Sequence, residues 1–174
     1  KFMFDPAKVG VKALALADVG NPSKPHALIR EENAVAYDPA AGWKKGAGPT
    51  GRGAGIACGI DAGTYVALVA EVKVDPATGE VRVLRVVAAQ DMGIVVNPDG
   101  ARMQMEGCIA MGLGYALTEE VRFEGGKILT RSFGSYEIPR FSRMPRIETV
   151  LVKNDGLAPQ GGGEPALVPV GAAI

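Results

Sequence analysis

Apolar positions alternate with polar or small ones from Thr64 to Val74, and again from Val81 to Ala89. A period of two carried by β-branched residues predicts two half-buried strands. Between them lies Asp75-Pro-Ala-Thr-Gly-Glu80. There Pro76 presets its own φ and Gly79 tolerates positive φ, so the strands join in one long antiparallel hairpin. After Pro98 the period changes. Ala101, Met105, Cys108, Ile109, Gly112, Leu113 and Ala116 recur at helical spacing. They predict a helix from about Asp99 to Leu117 with one buried face. Gly107, Gly112 and Gly114 each cost that helix roughly 1 kcal/mol relative to Ala, which close packing against a sheet or a cofactor would offset. Gln104 falls at the margin of the apolar face, where a solvated helix glutamine is the plain alternative to a functional one.

The weaker patterns fill in around these. Gly53 to Gly59 reads as a strand with close backbone contacts. Val121 to Thr130 is a second hairpin with a Gly-Gly turn. Ser135-Tyr-Glu-Ile-Pro139 reads as short and extended, because a residue before proline avoids the helical region. Arg146 to Lys153 alternates and predicts another strand, and Asn154 to Gly163 is a loop. The sum is an α+β fold, a mixed sheet built from antiparallel hairpins packed on a long helix. Residues 1–50 are read as an N-terminal arm or linker. Within them Pro6 to Asp18 has the Ala and Leu content of a short helix, weakened by Gly10, and Asn21 to Pro25 reads as a loop. Residues 51–174 form the main domain.

The stretch with the most chemistry is Gln160-Gly-Gly-Gly-Glu164-Pro-Ala. Three glycines let the backbone approach a ligand closely. Pro165 suits the first position of a helix, so Glu164 stands where a loop becomes helical, beside N–H groups with no helical partner. That layout suits an anionic cofactor or a developing oxyanion. A helix N-cap with a flexible entry loop has the same local pattern, and both readings stand at this point.

Composition narrows the classes. The chain has 174 residues, 19 basic and 19 acidic, for a formal net charge of zero. No basic block offers a footprint for nucleic acid. No apolar run approaches the roughly 20 residues of a membrane span. Cys58 and Cys108 lack metal-ligand spacing and read as two buried thiols, with a disulfide as the alternative. His26 is the single histidine, which argues against a histidine triad or a multi-histidine metal site within this chain. A phosphate-binding transferase is disfavoured, since no Lys-Ser/Thr follows the glycines and Glu164 would repel phosphate.

Five motifs in order carry a resemblance. They are Gly53-Ala-Gly-Ile-Ala with Tyr65-Val-Ala-Leu-Val-Ala-Glu; Asp91-Met-Gly-Ile-Val-Val-Asn-Pro98; Gln104-Met-Glu-Gly-Cys-Ile-Ala-Met-Gly-Leu-Gly114; Ser135-Tyr-Glu-Ile-Pro139; and Gly161-Gly-Gly-Glu-Pro-Ala. Over residues 51–174 the chain resembles the C-terminal molybdopterin-binding domain of the xanthine dehydrogenase and aldehyde oxidase family. The wording of the Gln160–Glu164 loop is most similar to the branch with isoquinoline 1-oxidoreductase and nicotinate dehydrogenase large subunits.

The resemblance implies Glu164 as the catalytic base, Gln104 as a contact to the molybdenum–pterin group, and Gly162 and Gly163 close to that cofactor. It implies no protein side chain as a metal ligand. A second glutamine found seven residues further on in many relatives is Met111 here. The implied reaction is hydroxylation of an N-heteroaromatic or an aldehyde with water as the oxygen source. The implied cofactors are a molybdenum–pterin, the cytosine dinucleotide form among the options, and iron–sulfur clusters on a partner subunit or domain. The implied partners are the rest of the large subunit, an iron–sulfur electron-transfer subunit and a small-molecule substrate, in an oligomer. On this reading the chain is part of the second cofactor-binding domain, truncated at its C-terminus, inactive alone, and left with exposed apolar surface. The competing reading is a non-catalytic scaffold or assembly domain that keeps the fold.

Overall fold

A computed structural model describes residues 51–174, together with the antiparallel backbone pairing of β1 (Ala15–Ala17) with β2 (Pro25–Ala27). The helix expected over Pro6–Asp18 otherwise lies outside the described residues. Its end at Ala15–Ala17 is a strand instead, with Leu16 opposite His26. Local Ala and Leu content is a weak prior that strand pairing overrides.

The centre of the molecule is a four-stranded sheet in the order β3-β4-β5-β8. β3 is Arg52–Asp61, β4 Thr64–Val74, β5 Val81–Asp91 and β8 Arg146–Leu151. The first three pair antiparallel through hairpins, and β8 joins β5 parallel. The expected turn at Asp75–Glu80 forms: Gly79 N–H donates to Asp75 O at 2.8 Å and Ala77 N–H to the Asp75 carboxylate at 2.8 Å. The register slips between Glu71 and Val72. That bulge shifts the phase of β5, so Val83 and then Val86 and Ala88 all reach the core.

Between β5 and β8 the chain crosses over through α1 (Pro98–Leu117). Asn97 caps it, its side chain accepting from Gly100 N–H at 3.0 Å, and Pro98 opens the first turn. Met105, Cys108, Ile109 and Leu113 bury against Val66, Leu68, Ala70, Val86 and Ala88. Each fully buried side chain of this size contributes about 1.5–3 kcal/mol. Ala116, expected on the buried face, is exposed, and Gly114 is buried instead. On the opposite face of the sheet Arg85 ties three strands together, pairing with Glu148 at 2.8 Å and Glu71 at 3.4 Å. The guanidinium holds the Glu148 carboxyl below the usual range.

The second hairpin is real but short: β6 (Phe123–Glu124) and β7 (Lys127–Ile128) around Gly125-Gly126. Ser135-Tyr136 is not extended. Both N–H groups donate to Ser132 O, at 2.9 and 2.8 Å, closing a turn before Pro139 can impose its preference further along. After Glu164 comes a 3₁₀ turn (Pro165–Leu167) and the short helix α2 (Val170–Ala173). This C-terminal segment lies across β3 and α1. Side chains at Gly55 and Gly59 would collide with Ala173 O and with Val168, the latter at 2.7 Å, so the strand glycines are where α2 and its lead-in rest. Among the described residues, no helix is long and apolar enough to cross a membrane.

Candidate functional site

The loop that ends at Glu164 is held along its whole length by elements far away in sequence. At its start Asn154 Nδ2 donates to both oxygens of the buried Asp91 carboxylate, at 3.1 and 3.0 Å. Asp91 Oδ1 also accepts from Gly93 N–H at 3.1 Å, so one carboxylate at the end of β5 orders two loops. Further on, Ile94 N–H donates to Leu157 O at 3.0 Å and Gln160 N–H to Met92 O at 2.9 Å.

Gly161 is gripped on both sides by the turn between β3 and β4. Its N–H donates to Ala62 O at 3.1 Å, and its carbonyl accepts from the buried hydroxyl of Thr64. Ala62 (φ 47°) and Gly63 (φ 79°) both take the left-handed conformation that a two-residue hairpin turn requires. For alanine that is an uncommon conformation. Any side chain at Gly161 would meet Ala62 Cβ at 2.5 Å, so the first glycine of the loop is demanded by this contact. Gly162 rests on the Met92 side chain, whose methyl end would have to shift to admit a Cβ. Beneath it the buried Gln90 amide donates to Met92 Sδ at 3.4 Å and leaves its Oε1 without a partner. Gly163, in contrast, faces open space.

The far end of the loop is tied to α1. Cys108 Sγ–H donates to Gly163 O at 2.9 Å. Burial pushes the Cys108 thiol up from its usual range; the N–H groups of Leu167 and Ala166 aimed at the sulfur pull the other way, and the nearby Glu164 carboxylate adds to the rise. Cys58 is only half-buried, unlike the expectation, and lies on the opposite side of the sheet; both thiols are free. Gln104 is exposed one helical turn before Cys108, so the two share a stripe of α1 that leads to Glu164.

Glu164 is exposed. It occupies the N-cap position of the 3₁₀ turn, yet its side chain makes no capping hydrogen bond. It has no ion pair either among the described residues. Glu164 thus keeps the N-cap position of the plain reading without the side-chain hydrogen bond that such a cap makes. None of the backbone hydrogen bonds among the described residues uses the N–H of Gly162, Gly163 or Glu164. The arrangement is a free carboxylate beside three successive unpaired N–H groups, on a backbone anchored at both ends. Unpaired backbone N–H groups are strong donors available to a ligand.

Sequence reasoning missed the supporting residues Thr64, Gln90, Met92 and Cys108. The signal for one of them was present: Ala62-Gly63 between two strands is hairpin-turn spacing. Nothing local marks the other contacts, which span separations such as 97 residues for Thr64 and 55 for Cys108.

Comparison with known proteins bears on the fold and on part of this site. A family model of the molybdopterin cofactor-binding domain matches residues 29–145. The match includes Gln104 and stops short of the Gly161–Glu164 loop. A subunit of the nicotinate dehydrogenase of Pseudomonas putida is 40% identical over 110 residues, which are 63% of this chain and 9% of that protein. The beta subunit of isoquinoline 1-oxidoreductase from Brevundimonas diminuta is 37% identical over 134 residues, 76% of this chain and 17% of that protein. Among solved structures, the aldehyde oxidoreductase of Desulfovibrio desulfuricans superposes with a TM-score of 0.55 at 32% identity, over 63% of this chain and 12% of that one. The chain thus spans less than a fifth of the length of each of these proteins. The α+β architecture is the one shared with that structure, and because the family model takes in well over half the chain, this chain belongs to the molybdopterin-binding domains of the xanthine dehydrogenase family.

Proposed function

We propose that this chain is the base-bearing part of a molybdenum hydroxylase large subunit. Together with the rest of that subunit it would hydroxylate an N-heteroaromatic compound or an aldehyde, with water as the oxygen source. The observation that carries the reading is the state of Glu164: a carboxylate with no partner of its own, on a loop fixed by Asn154, Gln160, Gly161 and Gly163. A carboxylate kept for local structure would cap its turn, and this one does not.

The residues present fit a molybdenum–pterin group. Gly163 has open space where a side chain would stand, and the N–H groups of Gly162, Gly163 and Glu164 are unpaired donors for an anionic ligand. Gln104, exposed on α1, offers an amide from the adjoining helix. When bound, the cofactor supplies the two-electron redox chemistry. The chain's own part is positional and acid–base. Gln104, Gly162 and Gly163 would hold the cofactor, and an oxygen of Glu164 would accept the proton that water releases as it supplies the new oxygen atom. Met111, one turn beyond Gly107, is apolar, so Gln104 is the amide that this helix brings to the cofactor.

The electrons would leave through iron–sulfur clusters on a partner subunit or domain. The relatives' names support a partnered assembly, since both the nicotinate and the isoquinoline proteins are single subunits of larger enzymes, and the compounds in those names support the N-heteroaromatic class. Apolar side chains left open by this chain point the same way: Phe141 is 100% exposed and Val96 81%. Such surface is what the remainder of a larger subunit would cover.

The test is elemental analysis of the complex that contains this chain, followed by Glu164→Gln. Close to one molybdenum per chain is expected, and Glu164→Gln should slow substrate reduction of the enzyme by about 10²-fold or more with the metal retained. Turnover retained in that variant would take Glu164 out of the role. A correctly assembled complex without molybdenum would favour the scaffold reading.

A further inference from the structure

Cys108 bonds the backbone just before Glu164 and packs with the residues just after it. Its thiol donates to the carbonyl of Gly163, immediately before the glutamate, at 2.9 Å. Ala166 and Leu167, just after it, pack into the same buried cluster as the sulfur. Leu167 N–H in addition donates to Glu164 O at 2.9 Å. The sulfur thus sits under the turn from which the Glu164 side chain springs. A peptide unit is planar, so a donor fixed on Gly163 O also fixes the direction of the Glu164 N–H, while Leu167 N–H on Glu164 O holds the other side of the residue. The sulfur itself cannot wander, because Cys108 is 4% exposed within the core formed by Met105, Ile109, Ala166 and Val170.

We propose that Cys108 is a positioning residue that pins the Glu164 turn to α1 and so sets the aim of the carboxylate. The inference rests on Glu164 acting as the base. Cys108 itself touches no reacting atom. Its thiol stays protonated, because burial raises its pKa, and the protonated form is the one able to donate to Gly163 O. Thr64 does the corresponding work at the front of the loop, on Gly161 O. Between those two anchors only Gly162 and Gly163 are left to bend. Small displacements of a reacting group cost large factors in rate, so a pin of modest strength can have a large effect on turnover.

Three variants in the molybdenum-loaded complex test this: Cys108→Ala, which removes the donor; Cys108→Ser, which keeps a hydroxyl donor; and Glu164→Gln as reference. The readouts are kcat and KM, molybdenum content, and amide hydrogen exchange of the 160–167 segment. Cys108→Ala is expected to lower kcat about tenfold, with KM within about twofold and the metal retained, the loss corresponding to one neutral hydrogen bond's effect on position. Exchange at Leu167, whose N–H closes the turn onto Glu164 O, should quicken in the same variant. Cys108→Ser should recover kcat to within about threefold of the unmodified enzyme and slow the exchange again. Equal losses in Ala and Ser, or unchanged exchange in Ala, would overturn the pin while an inactive Glu164→Gln left the base reading standing. An active Glu164→Gln removes the base reading and this proposal together.

Discussion

On one side of α1, Ala101, Met105, Cys108, Ile109 and Leu113 are buried against the sheet and the C-terminal turn. On the other side Met103, Met111 and Tyr115 are 67%, 52% and 56% exposed, with Gln104 and Gly107 among them. Both sides are rich in apolar residues, so residue type does not separate them. What separates them is whether the described residues supply the opposing surface. The two helix glycines make the contrast sharpest. A Cβ at Gly112 would meet Val170 at 2.6 Å, whereas one at Gly107 would meet nothing within 4 Å. Among the described residues the helix therefore carries one covered face and one open face, and Gln104 stands on the open face. Cys108 lies at the border of the two, which is how a core residue comes to touch the turn bearing Glu164.

The largest expected effect lies on the covered face. Ile109→Ala should destabilise the chain by about 2–5 kcal/mol, the usual cost of emptying a core site. Met103→Ala should change stability by less than about 0.5 kcal/mol, as surface substitutions do. Urea titration of both variants checks this. Comparable losses would mean that the two faces are not different in kind. Gly112→Ala comes next. It forces the Val170 side chain to move and should cost about 1–3 kcal/mol in the same titration. Asn97→Ala removes the cap that receives Gly100 N–H and should cost about 1 kcal/mol, with both faces loosened together because the whole first turn depends on it.

How much of this was legible in the sequence depends on the range of the interaction involved. The β4–β5 hairpin and α1 were legible to within a residue or two at most ends, because period, turn residues and the Asn-Pro start are all local. The Ser135–Tyr136 turn was not. Proline's preference acts on the residue before it, Ile138, and the Ser132 carbonyl governs the residues further back. Of the proposed site, Glu164, Gln104 and the glycine loop were nominated by family resemblance alone, since their local pattern fits an N-cap loop and a solvated helix glutamine as well. The Thr64 and Cys108 anchors were invisible, since each depends on which strand or helix the loop finally meets. Ala116 and Gly114 exchanged places on the helix for the same reason: Pro139 and Glu119 fold back onto Gly114, an event that helical period cannot announce.

The smallest effect is also the one that best separates the chain from its assembly. In the chain alone Gly107→Ala replaces a poor helix former at an exposed position with open space beside it, so it should stabilise the fold by about 1 kcal/mol and raise the urea midpoint. The complete subunit should answer differently. If the open face of α1 receives the remainder of the subunit, with Gln104 at its edge on the cofactor, a methyl group at Gly107 intrudes into that contact. Molybdenum retention or subunit yield should then fall although the isolated chain has become more stable. A gain in stability in both settings would mean that Gly107 stays open to solvent in the assembly. The partner surface would then have to begin elsewhere, at the exposed Phe123, Phe133 and Phe141 beyond the helix. Opposite signs for a single methyl group would show that the open face of α1 is covered in the assembly.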